Sequence, residues 1–166
     1  MPLLALLQTG CLIFLAVLLL VAAWRDFHTL RIANGLPLTV AALYVLWATL
    51  GLLAGTITLG GLAAAIGCAS ALFLAGTVAF ALGMMGGGDI KLAAAVALFA
   101  GPALVFEFVL IVAVAGGILG LGVLAGLPLG VTPAAGPATS RNRLNSRVPY
   151  GPAIAAGGLW LVATLS

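Results

Sequence analysis

The sequence predicts an all-α, polytopic membrane protein with about six transmembrane helices, and two observations carry that prediction. Of its 166 residues, 64% are hydrophobic and only 5% are charged, whereas a soluble domain carries about 25% charged residues. Several apolar runs also exceed the roughly 18 residues that indicate a transmembrane helix. They lack the polar and apolar alternation of barrel strands, so we expect one helical domain over residues 1–166.

The first three predicted spans are continuous apolar runs at residues 3–24, 36–54 and 57–82. An arginine follows the first run instead of preceding it, which is the wrong polarity for a cleaved signal peptide. Pro37 opens the second run near its first turn, where a helix tolerates proline.

Residues 90–125 are predicted to hold the fourth and fifth spans, and residues 152–165 the sixth. Gly101 and Pro102 divide the long stretch, since proline breaks a helix and glycine permits a turn. With the N-terminus outside, the loops at 25–35, 83–91 and 127–147 then face the cytoplasm. These loops contain all six basic residues, as the positive-inside rule requires: Arg25, Arg31, Lys91, Arg141, Arg143 and Arg147.

The charge and cysteine patterns exclude some function classes. Isolated arginines between apolar segments do not form the basic face with aromatic residues that nucleic-acid binding needs, so no nucleic-acid partner is expected. Cys11 and Cys68 lie inside apolar runs without a CxxC pair or a His/Cys cluster. We therefore interpret them as packing residues and expect no metal site. Membrane lipids are the first expected partners.

Asp26 and Asp89, the two aspartates of the chain, are the candidate functional residues. Each is predicted at the cytoplasmic end of a helix, and ionisable residues at membrane depth are functional candidates by default. Two neighbouring carboxyl groups tend to share one proton, which is the chemistry of aspartyl proteolysis. The ionised carboxylate takes a proton from water while the protonated carboxyl polarises the peptide carbonyl. That reaction needs no metal and no cofactor.

Both aspartates also have a purely structural interpretation. Asp89 follows the glycines at 86–88 and can cap the N-terminus of the fourth helix. Asp26 can pair with Arg25 or Arg31 at the membrane interface. In the functional interpretation, the glycines let an extended substrate approach Asp89 closely, and a positive φ is expected at position 88.

Three segments resemble the type IV prepilin peptidases. They occur in the same order along the chain as in that family and at the corresponding side of the membrane. "GGGDIKL" is similar to that family's GxGD motif, with matches at Gly86, Gly88, Asp89 and Lys91. "DFHTLRIANGL" is similar to its first motif, with Ala33 where proline is usual and with matches at Asp26, Arg31, Ile32 and Asn34. "VPYGPAIAAG", residues 148–157, is similar to the segment that opens the family's last helix.

The resemblance implies an aspartic endopeptidase of the inner membrane that cleaves the basic leader peptide of prepilins or pseudopilins at the cytoplasmic face. Asp26 and Asp89 would be its catalytic residues. Substrate binding is assigned to Gly86, Gly87, Gly88, Lys91, Arg31 and Asn34. The chain has no CxxC pair and no room for a methylase domain, so it resembles the small form associated with Flp/Tad-type pili.

Two other function classes stay open. A GxGD intramembrane protease of the presenilin or signal-peptide-peptidase kind would also carry a Tyr-Asp motif, and no Tyr-Asp occurs here. A non-catalytic membrane subunit or a small transporter should show polar groups near mid-membrane. Apart from Glu107, which falls near the outer end of the fifth span and is interpreted as interfacial, the spans show few such groups. His28 lies two positions from Asp26, where it can tune that carboxyl or remain a solvated interfacial side chain.

Overall fold

The computed structural model describes residues 2–29, 33–83, 85–125 and 149–166. Across these residues the protein consists of α-helices and contains no strand. The five helices are α1 (Pro2–Thr29), α2 (Gly35–Ala54), α3 (Leu59–Ala81), α4 (Gly87–Leu124) and α5 (Gly151–Leu165). The first four are long and apolar enough to cross a membrane, and α5 is a shorter apolar helix. The all-helical, multi-pass prediction is confirmed, whereas five helices stand where six were expected.

The difference in number arises at Gly101, inside α4. This residue has φ 55° and ψ −168°, outside the helical region, and Pro102 follows it. Such a backbone conformation is essentially restricted to glycine, and proline leaves the carbonyl one turn earlier without its amide donor. α4 therefore consists of two helical segments, residues 87–100 and residues 102–124, which we call α4a and α4b.

The contacts of α5 show the direction of α4b. Near the start of α5, Tyr150 lies against Gly116, where a β-carbon would come within 2.9 Å of the tyrosine ring. Two turns further along α5, a β-carbon at Gly157 would lie 3.0 Å from the ring of Phe108. Residue numbers rise along α5 while those of its neighbours fall, so α5 and α4b are antiparallel.

The direction of α4a is opposite to that of α4b. Ile90, near the start of α4a, lines one cavity together with Gly117 of α4b and Tyr150. Further along, Gly158 of α5 lies against Val96. α4a and α5 are therefore parallel, and the chain turns back at the Gly101 break to form a helical hairpin.

The core lies where α1, α5 and α4 pack together. Its largest fully buried side chains include Leu15, Leu19, Phe108, Ile154 and Leu161. Many other large apolar side chains are exposed, as expected for helices whose outer surface faces lipid; examples are Leu6, Trp24, Leu38, Leu59 and Phe106.

α1 extends to Thr29, beyond its predicted end at residue 24. Polar side chains in its last turns bond to carbonyls of the same helix: His28 Nδ1 to Trp24 O at 2.8 Å, and Thr29 Oγ1 to Arg25 O at 2.8 Å. Asp26 consequently lies on a regular helix and not in a loop, so its side-chain direction is fixed by α1.

Candidate active site

Asp26 is buried against the start of α5. Its side chain is 3% exposed, and its Oδ2 accepts a hydrogen bond from the backbone amide of Gly151 at 2.7 Å. Gly151 is the first residue of α5, where backbone amides lack partners within their own helix. A carboxylate is stabilised there by those amides and by the helix dipole. The recorded donor is thus a backbone amide and not Arg25, while Arg31 lies outside the described residues.

Gly151 permits this contact because it has no side chain. A β-carbon at this position would lie 2.6 Å from Cβ and 2.9 Å from Oδ2 of Asp26. Any other residue would separate α5 from α1 or displace the carboxyl group. Gly151 was not among the site residues predicted from the sequence, although a Gly-Pro pair opening the last apolar run was the available signal.

Asp89 is the third residue of α4 and is 9% exposed. Its Oδ2 accepts a hydrogen bond from the backbone amide of Gly86 at 3.2 Å. This is the reciprocal half of a capping box, in which a side chain at N3 reaches back to the N-cap amide. The structural interpretation of Asp89 as a cap is therefore correct for this contact, and the same bond also orients the carboxyl.

The glycines before Asp89 differ in their constraints. A β-carbon at Gly86 would lie 2.6 Å from Oδ2 of Asp89, so the backbone of Gly86 lies too close to the carboxyl for a side chain to fit without a shift. The expected positive φ at Gly88 is wrong, because Gly88 lies in the first turn of α4. In the described part of this stretch, positive φ occurs at Gly83, with φ 73°.

Asp26 and Asp89 lie at the same level of the bundle. Gly158 of α5 packs against both Leu19 of α1 and Val96 of α4a, since a β-carbon there would lie 2.5 Å from Leu19 and 3.2 Å from Val96. Seven residues away along the three helices, about 10 Å in each case, lie Gly151, Asp26 and Asp89. We call this end of the bundle the aspartate end.

Lys91 and Asn34 connect two of the sequence motifs at the aspartate end. Lys91 Nζ donates a hydrogen bond to Oδ1 of Asn34 at 3.0 Å, and both side chains are exposed. They border a cleft of about 780 Å³ between α2, α3 and α4a, whose walls are otherwise mainly apolar and include Pro37, Phe73 and Leu98. The cleft is therefore a mainly apolar recess, and one of its polar lining residues, Lys91, follows Asp89 by two positions in the sequence.

A second cavity, of about 360 Å³, lies on the other side of α4a. Met85 and Tyr150 are among its lining residues, and each directly precedes a glycine whose amide bonds an aspartate. The remaining walls are apolar and come from α3, α4a and α4b. Two mainly apolar recesses therefore adjoin the aspartate end.

Two polar residues noted in the sequence lie outside this arrangement. His28 is exposed, and its ring stacks on Trp24 with 4.5 Å between ring centroids. Glu107 is exposed on α4b, next to Phe108, nearer the Gly101 turn than the aspartate end. Within the described ranges, no group of three or more His, Cys, Asp or Glu side chains is placed to hold a metal ion.

A family model described as the type IV leader peptidase family matches residues 13–121. The matched region contains both aspartates, Asn34 and Lys91, and it ends before α5. Because it covers more than half of the chain, the protein belongs to the type IV leader peptidase family, as the motif resemblance indicated. A search of curated proteins and a search of solved structures found no match.

Proposed function

We propose that the protein is a membrane aspartyl endopeptidase that removes the basic leader peptide of type IV prepilins or pseudopilins. Asp26 and Asp89 form its catalytic pair. The observation that carries the proposal is the burial of these two carboxyl groups at one level of the bundle, on separate helices, each held by a glycine amide. Membership of a peptidase family supports the same chemistry.

The reaction follows from two carboxyl groups that share a proton. The ionised group takes a proton from water as the water oxygen attacks the scissile carbonyl carbon, and the protonated group donates a hydrogen bond to the carbonyl oxygen. Collapse of the tetrahedral intermediate then breaks the C–N bond, and the leaving amine takes up a proton from the pair. Low dielectric around buried carboxyls strengthens each of these interactions.

The remaining motif residues bind the substrate in this proposal. Lys91 and Asn34, which line the cleft, contact the polar backbone of the substrate near the scissile bond. The glycines at 86–88 leave space for that backbone beside Asp89, and Arg31 completes the set. The leader's basic residues lie at anionic headgroups, and the apolar segment that follows the cleavage site enters the bilayer.

The proposed topology has six crossings, with α4a and α4b each crossing once. The hairpin at Gly101 supports it, as does the concentration of basic residues in alternate loops. The protein is then an inner-membrane enzyme whose aspartate end faces the cytoplasm. The resemblance of its motifs to the family, with no CxxC pair within residues 1–166, favours the form that serves Flp/Tad-type pili.

Asp26→Asn and Asp89→Asn test the catalytic assignment, because asparagine keeps the shape of the side chain and removes its acid–base function. Glu107→Gln is the matched control, since it neutralises the third acidic residue of the chain on an exposed face of α4b. We expect each aspartate variant to insert normally and to lose prepilin cleavage on a gel, while Glu107→Gln retains it. Cleavage at the wild-type rate by either aspartate variant would remove that residue from the mechanism.

The activity of the purified protein alone distinguishes an endopeptidase from the other function classes. Reconstituted into liposomes with a prepilin, an endopeptidase cleaves the substrate without a further protein, whereas a non-catalytic subunit or a transporter does not. Mass spectrometry of the products then locates the cut. Cleavage at the leader junction supports the prepilin peptidase assignment, and cleavage within the apolar segment indicates an intramembrane protease of the presenilin kind.

A further inference from the structure

The two aspartates are held in different ways. Asp89 bonds to Gly86, three residues earlier at the same helix end, so this bond is local to the start of α4a. Asp26 bonds to Gly151, which is 125 positions away and belongs to another helix. The orientation of Asp26 therefore depends on how α5 packs against α1.

We propose that Gly151 is a positioning residue for Asp26, so that the N-terminus of α5, outside the region matched by the family model, completes the active site. This inference rests on the proposed catalytic role of Asp26. Through its amide, Gly151 fixes Oδ2 and leaves Oδ1 as the oxygen of Asp26 that takes part in the reaction.

The geometry of the contact supports this role. The N···O distance of 2.7 Å is at the short end for hydrogen bonds to a carboxylate. The contact is buried, so bulk water does not substitute for the donor. The approach of α5 also requires a residue without a side chain, since a β-carbon at Gly151 would overlap Cβ of Asp26. A backbone donor in a helix has little freedom to move, which makes it a rigid support for a reacting group.

Gly151→Ala tests the close approach, with Gly158→Ala as its matched control. Both glycines lie where α5 packs against α1. The added carbon meets the Asp26 carboxyl in the first case and the side chains of Leu19 and Val96 in the second. We expect Gly151→Ala to lower kcat about tenfold or more with KM nearly unchanged, the pattern of an interaction made in the transition state. An equal loss of kcat in Gly158→Ala would reduce the role of Gly151 to packing and overturn the inference.

A second experiment removes the donor without adding an atom. Cell-free synthesis in lipid nanodiscs, with a suppressor tRNA carrying glycolic acid, replaces the Gly151 amide by an ester. The matched control carries the ester at Gly157, where the lost amide lies within α5. We expect the ester at 151 to lower kcat about tenfold or more, the scale of a hydrogen bond to a charged group, and the ester at 157 to leave kcat near the wild-type value. This pair decides the question even if Gly151→Ala fails to accumulate in the membrane.

The outcomes separate the two proposals. If Asp26→Asn abolishes cleavage and the ester at 151 leaves kcat unchanged, Gly151 does not position Asp26, and the peptidase assignment stands. If Asp26→Asn cleaves prepilin normally, the assignment of Asp26 itself is wrong. Loss of kcat in both Asp26→Asn and the ester at 151, but not in the ester at 157, is the result that the structure predicts.

Discussion

The ammonium group of Lys91 donates a hydrogen bond to the side-chain carbonyl of Asn34 at 3.0 Å, across 57 positions of sequence. Asn34 precedes α2, and Lys91 lies in the first turns of α4a. The bond thus joins the segment that follows Asp26 to the segment that contains Asp89. Two motifs that are separate in the chain are thereby in contact at the aspartate end.

The first prediction concerns the hydrogen bond between Lys91 and Asn34. Lys91→Met removes the donor and the charge while keeping the length of the side chain. We expect KM for prepilin to rise roughly fivefold, as the loss of about 1 kcal/mol of hydrogen bonding predicts, with kcat nearly unchanged. Asn34→Ala should have a similar effect, and the double variant should be little worse than either single variant, because the two side chains act together.

The control for this prediction is Gln8→Ala. Gln8 Nε2 donates to the carbonyl of Trp47 at 3.4 Å, far from the aspartate end, so its loss should leave KM at the wild-type value. Additive effects of Lys91→Met and Asn34→Ala would show that the two residues do not act as a unit.

The second prediction concerns Gly86. The β-carbon of alanine would lie 2.6 Å from Oδ2 of Asp89, so Gly86→Ala should displace the carboxyl and lower kcat about tenfold or more. Gly35→Ala is the control, because Gly35 likewise lies at a helix N-terminus and a β-carbon there meets nothing within 4 Å. Equal activity of the two variants in a cleavage assay at matched protein level would mean that the Asp89–Gly86 contact has no catalytic role.

The third prediction concerns the six-crossing topology. In a background without Cys11 and Cys68, single cysteines at the exposed positions Thr56 and Ala103 should react with an impermeant thiol reagent added from the periplasmic side. A cysteine at Ala33 should react only after the cells are opened. Labelling of Ala33→Cys in intact cells, or protection of Ala103→Cys, would exclude the proposed orientation or the second crossing in α4.

The fourth prediction concerns the Gly101 turn. A β-carbon at Gly101 would have room, since its nearest neighbour is Cβ of Ala65 at 4.0 Å. The φ of 55° is nevertheless costly for alanine, so Gly101→Ala should destabilise the protein by about 1–3 kcal/mol. Gly67→Ala, within α3 and also in open space, should be neutral or slightly stabilising. A lower thermal midpoint for Gly101→Ala alone, measured in detergent, is the expected result.

The sequence predicted the helices well because their signal is local. Long apolar runs set α2 and α3 to within about two residues of their observed ends, the precision that such patterns allow. The end of α1 was placed too early, since the apolar run stops at Trp24 while side-chain bonds continue the helix to Thr29. The Gly101-Pro102 pair correctly predicted a break in the long apolar stretch. That the two segments of α4 fold back on each other as a hairpin was visible only in the structure.

The candidate site was predictable in its residue types but not in its contacts. Two lone aspartates in an apolar chain are conspicuous, and the motifs supplied Lys91 and Asn34. The bond between Asp26 and Gly151 joins positions 125 apart, and no periodicity or spacing in the sequence encodes such a pairing. Similarly, the positive φ expected at Gly88 is absent because that residue lies within the first turn of α4, and the close contact of Gly86 with the Asp89 carboxyl was not predicted.

The length of α4a has a consequence for the lipid around the protein. From Gly87 to Ala100 this segment rises only about 21 Å, and α5 is similarly short, whereas the hydrocarbon layer of a bilayer is about 30 Å thick. In the proposed six-crossing topology, which puts the Gly101 turn at the outer surface, Asp89 would end several ångströms below the inner surface of an undistorted membrane. Lipid must therefore thin around these two helices, at a cost of fractions of a kcal/mol per ångström. Acyl-chain length thus becomes a variable of the proposed peptidase reaction, because a thinner membrane brings water to the carboxyl groups at a smaller elastic cost.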